Sequence, residues 1–398
     1  LKPHSRFKAP MLAGLAAASA GAALLLSGKA AARGKSAPAD ALLGRRTAAG
    51  RGYRPSYLKG RVVLVSGAGG SIGSELCRQI ARAVPSRLVL LDFCENGVYE
   101  LQQELGSLSQ GLPVSVEIGS VQDPARLREI FSRYRPQVVF HAAAHKHVPL
   151  MEHCPGEAVK NNIFGTEEIA RASLRWGTRR FVLISTDKAV NPSSVMGATK
   201  RFCEMLLQSM QRQGKTSFSA VRFGNVLGSN GSVVPLFLRQ IERGGPVTVT
   251  DRRMIRYFMT IPEAVELVLR AGAMESGPGI YLLDMGRPVR ILDLAERLIR
   301  LTGHLPYREI PIVETGLRPG EKLYEELLLG NGPLRATADR KILIERQNPV
   351  SDREIEHSLH LLRRAVETDS SGEIRRALMQ AVPEYRPLGN PRKKDRSD

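Results

Sequence analysis

A chain of 398 residues, 42% of them apolar, has material for one large α/β unit with a packed core and shorter appendages. The formal charge of +19 lies mainly at the ends: Leu1–Arg61 holds twelve Lys and Arg against one Asp, and Arg386–Asp398 holds five bases against two acids. Basic ends around a nearly balanced middle, without interleaved aromatic and basic residues, exclude an RNA-binding module and favour an anionic membrane surface over nucleic acid.

Ala9–Gly28 is a run of twenty residues without a charge, long enough to cross a bilayer, although eight are Ala and three are Gly. A membrane span, a signal peptide cleaved near Ala18-Ser19-Ala20 and an Ala-rich linker all satisfy it, and the span is the expectation. Lys2, Arg6 and Lys8 precede the run and Lys29, Arg33 and Lys35 follow it, so charge does not orient it. The chain opens on Leu rather than Met, as the tail of a longer membrane protein would. Ala30–Lys59, rich in Gly, Ala, Pro and Arg, reads as a linker.

At Val62–Leu76, VVLVSGAGGSIGSEL, an apolar run meets a glycine-rich turn and then a helix-period pattern. Gly67 permits the tight turn, Gly70 lets the backbone approach a pyrophosphate, and Gly73 allows helix to pack on strand; Ser71 and Ile72 lie at the helix start, where free N–H groups attract an anion. A second apolar run ends in Asp92, 19 residues beyond Gly73, where a carboxylate accepts hydrogen bonds from ribose hydroxyls. Together these features indicate a dinucleotide cofactor. Only Phe93 and Cys94 follow Asp92, so a 2′-phosphate would meet a carboxylate without a cation, which favours NAD over NADP.

Strands are expected at Val62–Ser66, Leu88–Asp92, Val114–Ile118, Val138–His141 and Phe181–Ser185, with helices between them at Cys77–Ala83, Arg126–Tyr134 and Ala158–Trp176. The alternation predicts a doubly wound parallel sheet with functional residues just beyond the strand ends. Beyond the fourth strand, Ala142 and Ala143 would let a cofactor lie close to the backbone, with Lys146 and His147 facing the cleft. Beyond the fifth, Ser185, Thr186, Asp187 and Lys188 stand side by side, and Lys200 follows on a helix. The crowded histidines His141, His145, His147 and His153 lack the paired spacing of a zinc site, so no metal is expected. Cys77, Cys94, Cys154 and Cys203 are widely spaced and form no Cys-x-x-Cys pair, which fits a reduced compartment.

These blocks, with NNIFGT from Asn161, GATK from Gly197, RFGNVLGSNGSVVP from Arg222, IRYFMTIPEA from Ile255 and GLRPGEKLYEEL from Gly316, resemble the extended short-chain dehydrogenase/reductases. Among these they are similar to the long, membrane-anchored UDP-N-acetylglucosamine 4,6-dehydratases of bacterial polysaccharide biosynthesis. The resemblance covers roughly Ala41–Glu345. It implies a Rossmann-like α/β fold with a cofactor domain 60–221 and an interleaved substrate portion 222–345 forming a smaller lobe; the residue pattern adds an N-terminal segment 1–59 and, within 346–398, a helix near Asp352–Ala365 with a basic tail. The Tyr usual in the superfamily four residues before the helical lysine is here Met196, as in that branch. A carboxylate often found after the third strand is here Ser120.

The resemblance further implies Lys188 as the base at sugar C5, Asp187 as the acid at C6, Thr186 and Ser185 near the C4 oxygen, and Lys200 on the nicotinamide ribose. A lysine base must first lose its proton, which burial beside a nicotinamide cation favours. Asn225 and Ser232 would contact the nucleotide sugar, Arg256 and Arg318 its diphosphate, and Glu321 the ribose. A UDP-sugar is thus the expected substrate, a homo-oligomer at the cytoplasmic face of the inner membrane the expected form, and no nucleic acid a partner. A 4-epimerase would need the same clefts but no acid and base at C5 and C6; a cofactor-bound scaffold without catalysis would need neither.

Overall fold

Apolar, β-branched runs form the strands. They are β1 Val62–Ser66, β2 Arg87–Asp92, β3 Val114–Ile118, β4 Val138–His141, β5 Arg180–Ile184, β6 Ser217–Arg222 and β7 Asn225–Leu227, followed by β8 Val247–Val249, β9 Ile255–Thr260, β10 Gly279–Leu283, β11 Pro288–Arg290, β12 Ile312–Glu314, β13 Leu334–Ala336 and β14 Ile342–Glu345. This is a computed structural model, and it describes residues 37–47, 52–109, 111–274, 279–326, 334–345 and 350–388. Nine strands make one sheet in the order β13-β14-β10-β6-β5-β4-β1-β2-β3. Six of its eight neighbouring pairs, those from β3 through to β10, are parallel, while β14 and β13 add two antiparallel pairs at one edge. The strand order reverses between β1 and β4, which opens a crevice at their carboxyl ends.

Side chains alternate across this sheet. Leu64, Val89, Val139 and Phe181 enter one apolar layer, and Val63, Val65, Leu88, Leu90, Phe140 and Val182 the other. β2 and β5 each begin one residue earlier than expected. The helix expected at Cys77 starts at Ser71, because the chain reverses at Gly67 and is helical as soon as the turn closes. The long helix expected from Ala158 is broken: Pro155–Ala158 is α-helical, Val159–Phe164 is a π-helical turn, and Gly165–Arg175 resumes the α-helix.

A second lobe, with the sheets β11-β9-β7 and β12-β8, has its own core around Phe237, Phe258 and Leu294. β10 and β14 return from it to the large sheet. The linker reading fails for part of Ala30–Lys59: Ala37–Leu43 is a helix whose Leu42 and Leu43 complete the lobe core, Arg45 pairs with Glu263 at 3.0 Å, and Ser56–Leu58 forms a short 3-10 turn. Apolar spacing too short to show periodicity hid it. The C-terminal helix runs Asp352–Glu367, capped by Ser351 and Glu354, and a second helix, Ser371–Ala381, follows it. No helix among the described residues is long and apolar enough to cross a membrane, and Ala9–Gly28 lies outside the described residues.

Candidate active site

Gly67 holds φ +70°, and a Cβ there would lie 2.6 Å from the Ala143 amide nitrogen. A Cβ on Gly73 would lie 1.9 Å from the Gly67 carbonyl oxygen, so helix Ser71–Ala81 reaches the turn only because the residue is Gly. That helix starts without a side-chain cap, leaving its first N–H groups for an anion. They open on a cleft of about 500 Å³ lined by Gly67, Gly70, Ser71, Ile72, Gly73, Ala142, Lys146, Thr186, Lys188, Met196, Lys200, Asn225 and Ser232. Thirteen residues spread over the chain are thereby brought to one crevice. Ala143, expected beside them, packs on the core; the alternating backbone sends Ala142 and Ala144 to the cleft instead.

Asp92 ends β2 and is nearly buried. Its carboxylate accepts hydrogen bonds from the N–H groups of Gly69 (2.8 Å) and Cys94 (2.9 Å), which fixes the turn and leaves further lone pairs for hydroxyl donors. Across the crevice, the Asn230 N–H donates to Ser71 Oγ at 3.0 Å, joining the lobe to the glycine turn.

The chain leaves β5 through Ser185 and forms a 3-10 turn, Asp187–Ala189, started by the Thr186 side chain. Asp187 is 1% exposed: Oδ1 accepts from Thr186 Oγ1 and Lys188 Nζ, each at 2.9 Å, while Oδ2 is buried without a hydrogen-bond partner. Lys188 also reaches Glu325 at 3.4 Å. Burial pushes its ammonium towards deprotonation, but the carboxylates of Asp187 and Glu325 outweigh burial and hold its pKa above the ordinary lysine value. Burial by itself therefore does not depress Lys188. For Lys200, burial dominates and the pKa is lowered. Ser185 donates to Glu204 at 2.6 Å, so towards a substrate oxygen its hydroxyl can only accept.

Lys188 and Asn225 also line a smaller adjoining cleft of about 120 Å³, with Arg256, Arg318, Glu321 and Glu325. Arg318 is exposed, and its guanidinium has no hydrogen bond or ion pair among the described residues. Arg256, in that cleft wall, is also tied to the protein. It donates to the carbonyls of Ile255 (2.8 Å), Leu323 (3.0 Å) and Lys322 (2.6 Å), and lies 3.6 Å from Glu325 and 3.8 Å from Glu321. Through these three hydrogen bonds, three of its five N–H donors, Arg256 fastens the 321–325 segment. Glu321 Oε2 and Ser232 Oγ are buried without partners.

Two structural supports were missed. Asn162, in the π-turn, accepts from the His145 N–H (2.8 Å) and donates to the His145 carbonyl (3.0 Å) and to Thr199 (3.0 Å), tying the two cleft-lining segments together. Glu325 lies in an irregular segment, where spacing carries no signal.

A doubly wound sheet with this glycine turn, and an Asp-Lys pair beyond β5, define an extended short-chain dehydrogenase/reductase of the nucleotide-sugar dehydratase and epimerase superfamily. The chain belongs to the family described as "Polysaccharide biosynthesis protein", which matches residues 63–347. It is 53% identical over 310 residues to the probable polysaccharide biosynthesis protein EpsC of Bacillus subtilis, covering 77% of this chain and 52% of that one. The chain thus spans about half that relative's length. It is 32% identical over 275 residues to an inverting UDP-N-acetylglucosamine 4,6-dehydratase of Campylobacter jejuni, covering 68% of this chain and 78% of that one. The solved structure of Pen from Bacillus thuringiensis superposes with a TM-score of 0.68 at 32% identity, covering 74% of this chain and 89% of that one.

Proposed function

We propose that the protein is a UDP-N-acetylglucosamine 4,6-dehydratase that uses NAD. The observation carrying this reading is the Asp187–Lys188 pair, 2.9 Å apart at the mouth of the dinucleotide-type cleft, with Met196 where a proton-bearing phenol would otherwise stand. The glycine cradle, the uncapped helix start and Asp92 fit NAD, and Lys200 in the cleft wall fits the nicotinamide ribose. Bound there, NAD would accept hydride from sugar C4 and give it back at C6.

The chain's own residues handle the protons. Thr186 passes the C4 hydroxyl proton to Asp187, to which it is already hydrogen-bonded. The ketone at C4 acidifies C5, whose proton goes to Lys188, and Asp187 protonates the C6 hydroxyl as it leaves. Arg318 and Asn225 are the groups available to the UDP portion, with Ser232 as a further hydroxyl. We also propose anchoring by Ala9–Gly28 at the cytoplasmic membrane face, where UDP-sugars and NAD are found, and self-association; membrane fractionation and light scattering test these.

Mass spectrometry of UDP-N-acetylglucosamine incubated with the full chain and NAD tests the activity. Loss of one water is expected. An unchanged mass with an altered sugar configuration identifies a 4-epimerase instead, and untouched substrate beside bound NAD refutes catalysis on this sugar.

A further inference from the structure

Elimination across C5 and C6 requires a neutral Lys188 and a protonated Asp187 together. The folded protein instead pairs the two as cation and carboxylate, and direct exchange between them is blocked once Asp187 carries the C4 hydroxyl proton. A third site must hold the lysine's proton. Glu325 is the remaining carboxylate in contact with Lys188, at 3.4 Å, and its side chain is 4% exposed, so a proton placed there is shielded from water. Its other neighbour, Arg256, is fastened by three backbone carbonyls and stays cationic.

We propose that Glu325 takes the ammonium proton of Lys188 before elimination and returns it afterwards; the proposal rests on the dehydratase reading above. At rest Asp187 and Glu325 are carboxylates and Lys188 is an ammonium. As C4 is oxidised, its hydroxyl proton reaches Asp187 through Thr186. Lys188, having lost that counter-charge, passes a proton to Glu325. The resulting amine takes the C5 proton, the C5–H electron pair becomes the C5–C6 double bond, and the C6–O bond breaks, the oxygen leaving as water with the Asp187 proton. When C6 is reduced with the hydride that left C4, the double-bond electrons take the Lys188 proton at C5, and Glu325 gives its proton back to the amine. All groups then stand as they began, and no outside reductant is consumed.

Glu325 acts only through Lys188 and is in that sense a positioning residue. The other charged groups around the lysine are Arg256, Arg318, Glu321 and Lys322 across the smaller cleft, and Lys146, His147 and Lys200 across the larger one. None of these bonds to Lys188 among the described residues, so apart from Asp187 it is Glu325 whose alteration should change its protonation.

The full chain with NAD is compared with E325Q and E325D by two readouts. The rate of Lys188 acetylation by acetic anhydride, followed against pH by peptide mass spectrometry, needs no turnover; kcat and KM for UDP-N-acetylglucosamine are measured over the same range. In E325Q the acetylation midpoint should fall by about one pH unit, roughly tenfold in reactivity at fixed pH, and kcat should fall by about tenfold or more with KM near the parent's. E325D should recover part of both, and its midpoint decides the matter if E325Q does not fold. An acetylation midpoint unchanged in the variants overturns the proposal, since a purely structural Glu325 would leave it in place. A parent that leaves the sugar intact refutes the dehydratase reading, and a shifted midpoint in that case still shows that Glu325 controls Lys188.

Discussion

His141 is fully buried between Ser66 Oγ, 2.7 Å from Nδ1, and Thr166 Oγ1, 2.9 Å from Nε2. Burial, with Lys200 nearby, pushes its pKa down to about 3, so the ring is neutral in the folded protein. The unfolded chain takes up a proton near the ordinary histidine value of about 6.5 that the folded chain refuses. Its contribution is therefore intact above that pH and is lost as pH falls towards 3, by about 1.4 kcal/mol per unit. Denaturant unfolding of the parent and of His141→Gln across this range should show the smaller slope in the variant. Lys188→Ala should lower kcat by roughly two to four orders of magnitude with little change in KM, as expected for a lost general base, and steady-state kinetics would check it. The pair Asp187–Lys188 was legible because both groups are adjacent in sequence beyond a recognisable strand. The commitment of Arg256 was not, because the carbonyls that hold it lie 66 and 67 residues away.

Helix Val195–Met210 carries Met196 and Lys200 and is capped by Ser194. A Cβ on Gly197 in its first turn would lie 2.2 Å from the Lys188 carbonyl oxygen, so this helix and the turn Asp187–Ala189 touch through backbone. Gly197→Ala must displace one of them, and a shift of about 1 Å at the chemistry costs on the order of a hundredfold in rate. Its kcat should drop by about that factor while circular dichroism remains native. Gly73→Ala should act at the other end of the crevice: its Cβ would strike the Gly67 carbonyl, so NAD retained through gel filtration should fall well below the parent's. Both glycines stand in blocks visible in the sequence, and apolar runs alternating with helical stretches located five of the sheet's strands to within a residue. The π-turn at Val159–Phe164 had no such mark, since an added residue in a helical turn leaves the apolar pattern almost unchanged.

Across the whole molecule, Arg222 is 1% exposed and joins three parts of the fold: it binds Glu204 on the helix Val195–Met210 through Nε at 2.7 Å and Glu345 on β14 through a terminal nitrogen, also at 2.7 Å. Arg222→Met would take from two buried carboxylates the cation they share, and chemical denaturation should record a loss of about 3–5 kcal/mol. Leu42→Ala, in the short N-terminal helix, should cost about 2–5 kcal/mol by the same measurement if that helix is part of the lobe rather than a tether. The sequence by itself determined the strand–helix alternation, the glycine turn and the adjacent Asp187–Lys188 pair, because each is written in residues close together along the chain. Tertiary structure alone decided that Arg256 fastens the 321–325 segment, that Glu325 meets Lys188, and that residues 37–47 belong to the lobe. Those contacts join segments whose separation in sequence carries no periodic signal, and only the packing of the lobe against the sheet brings them within reach.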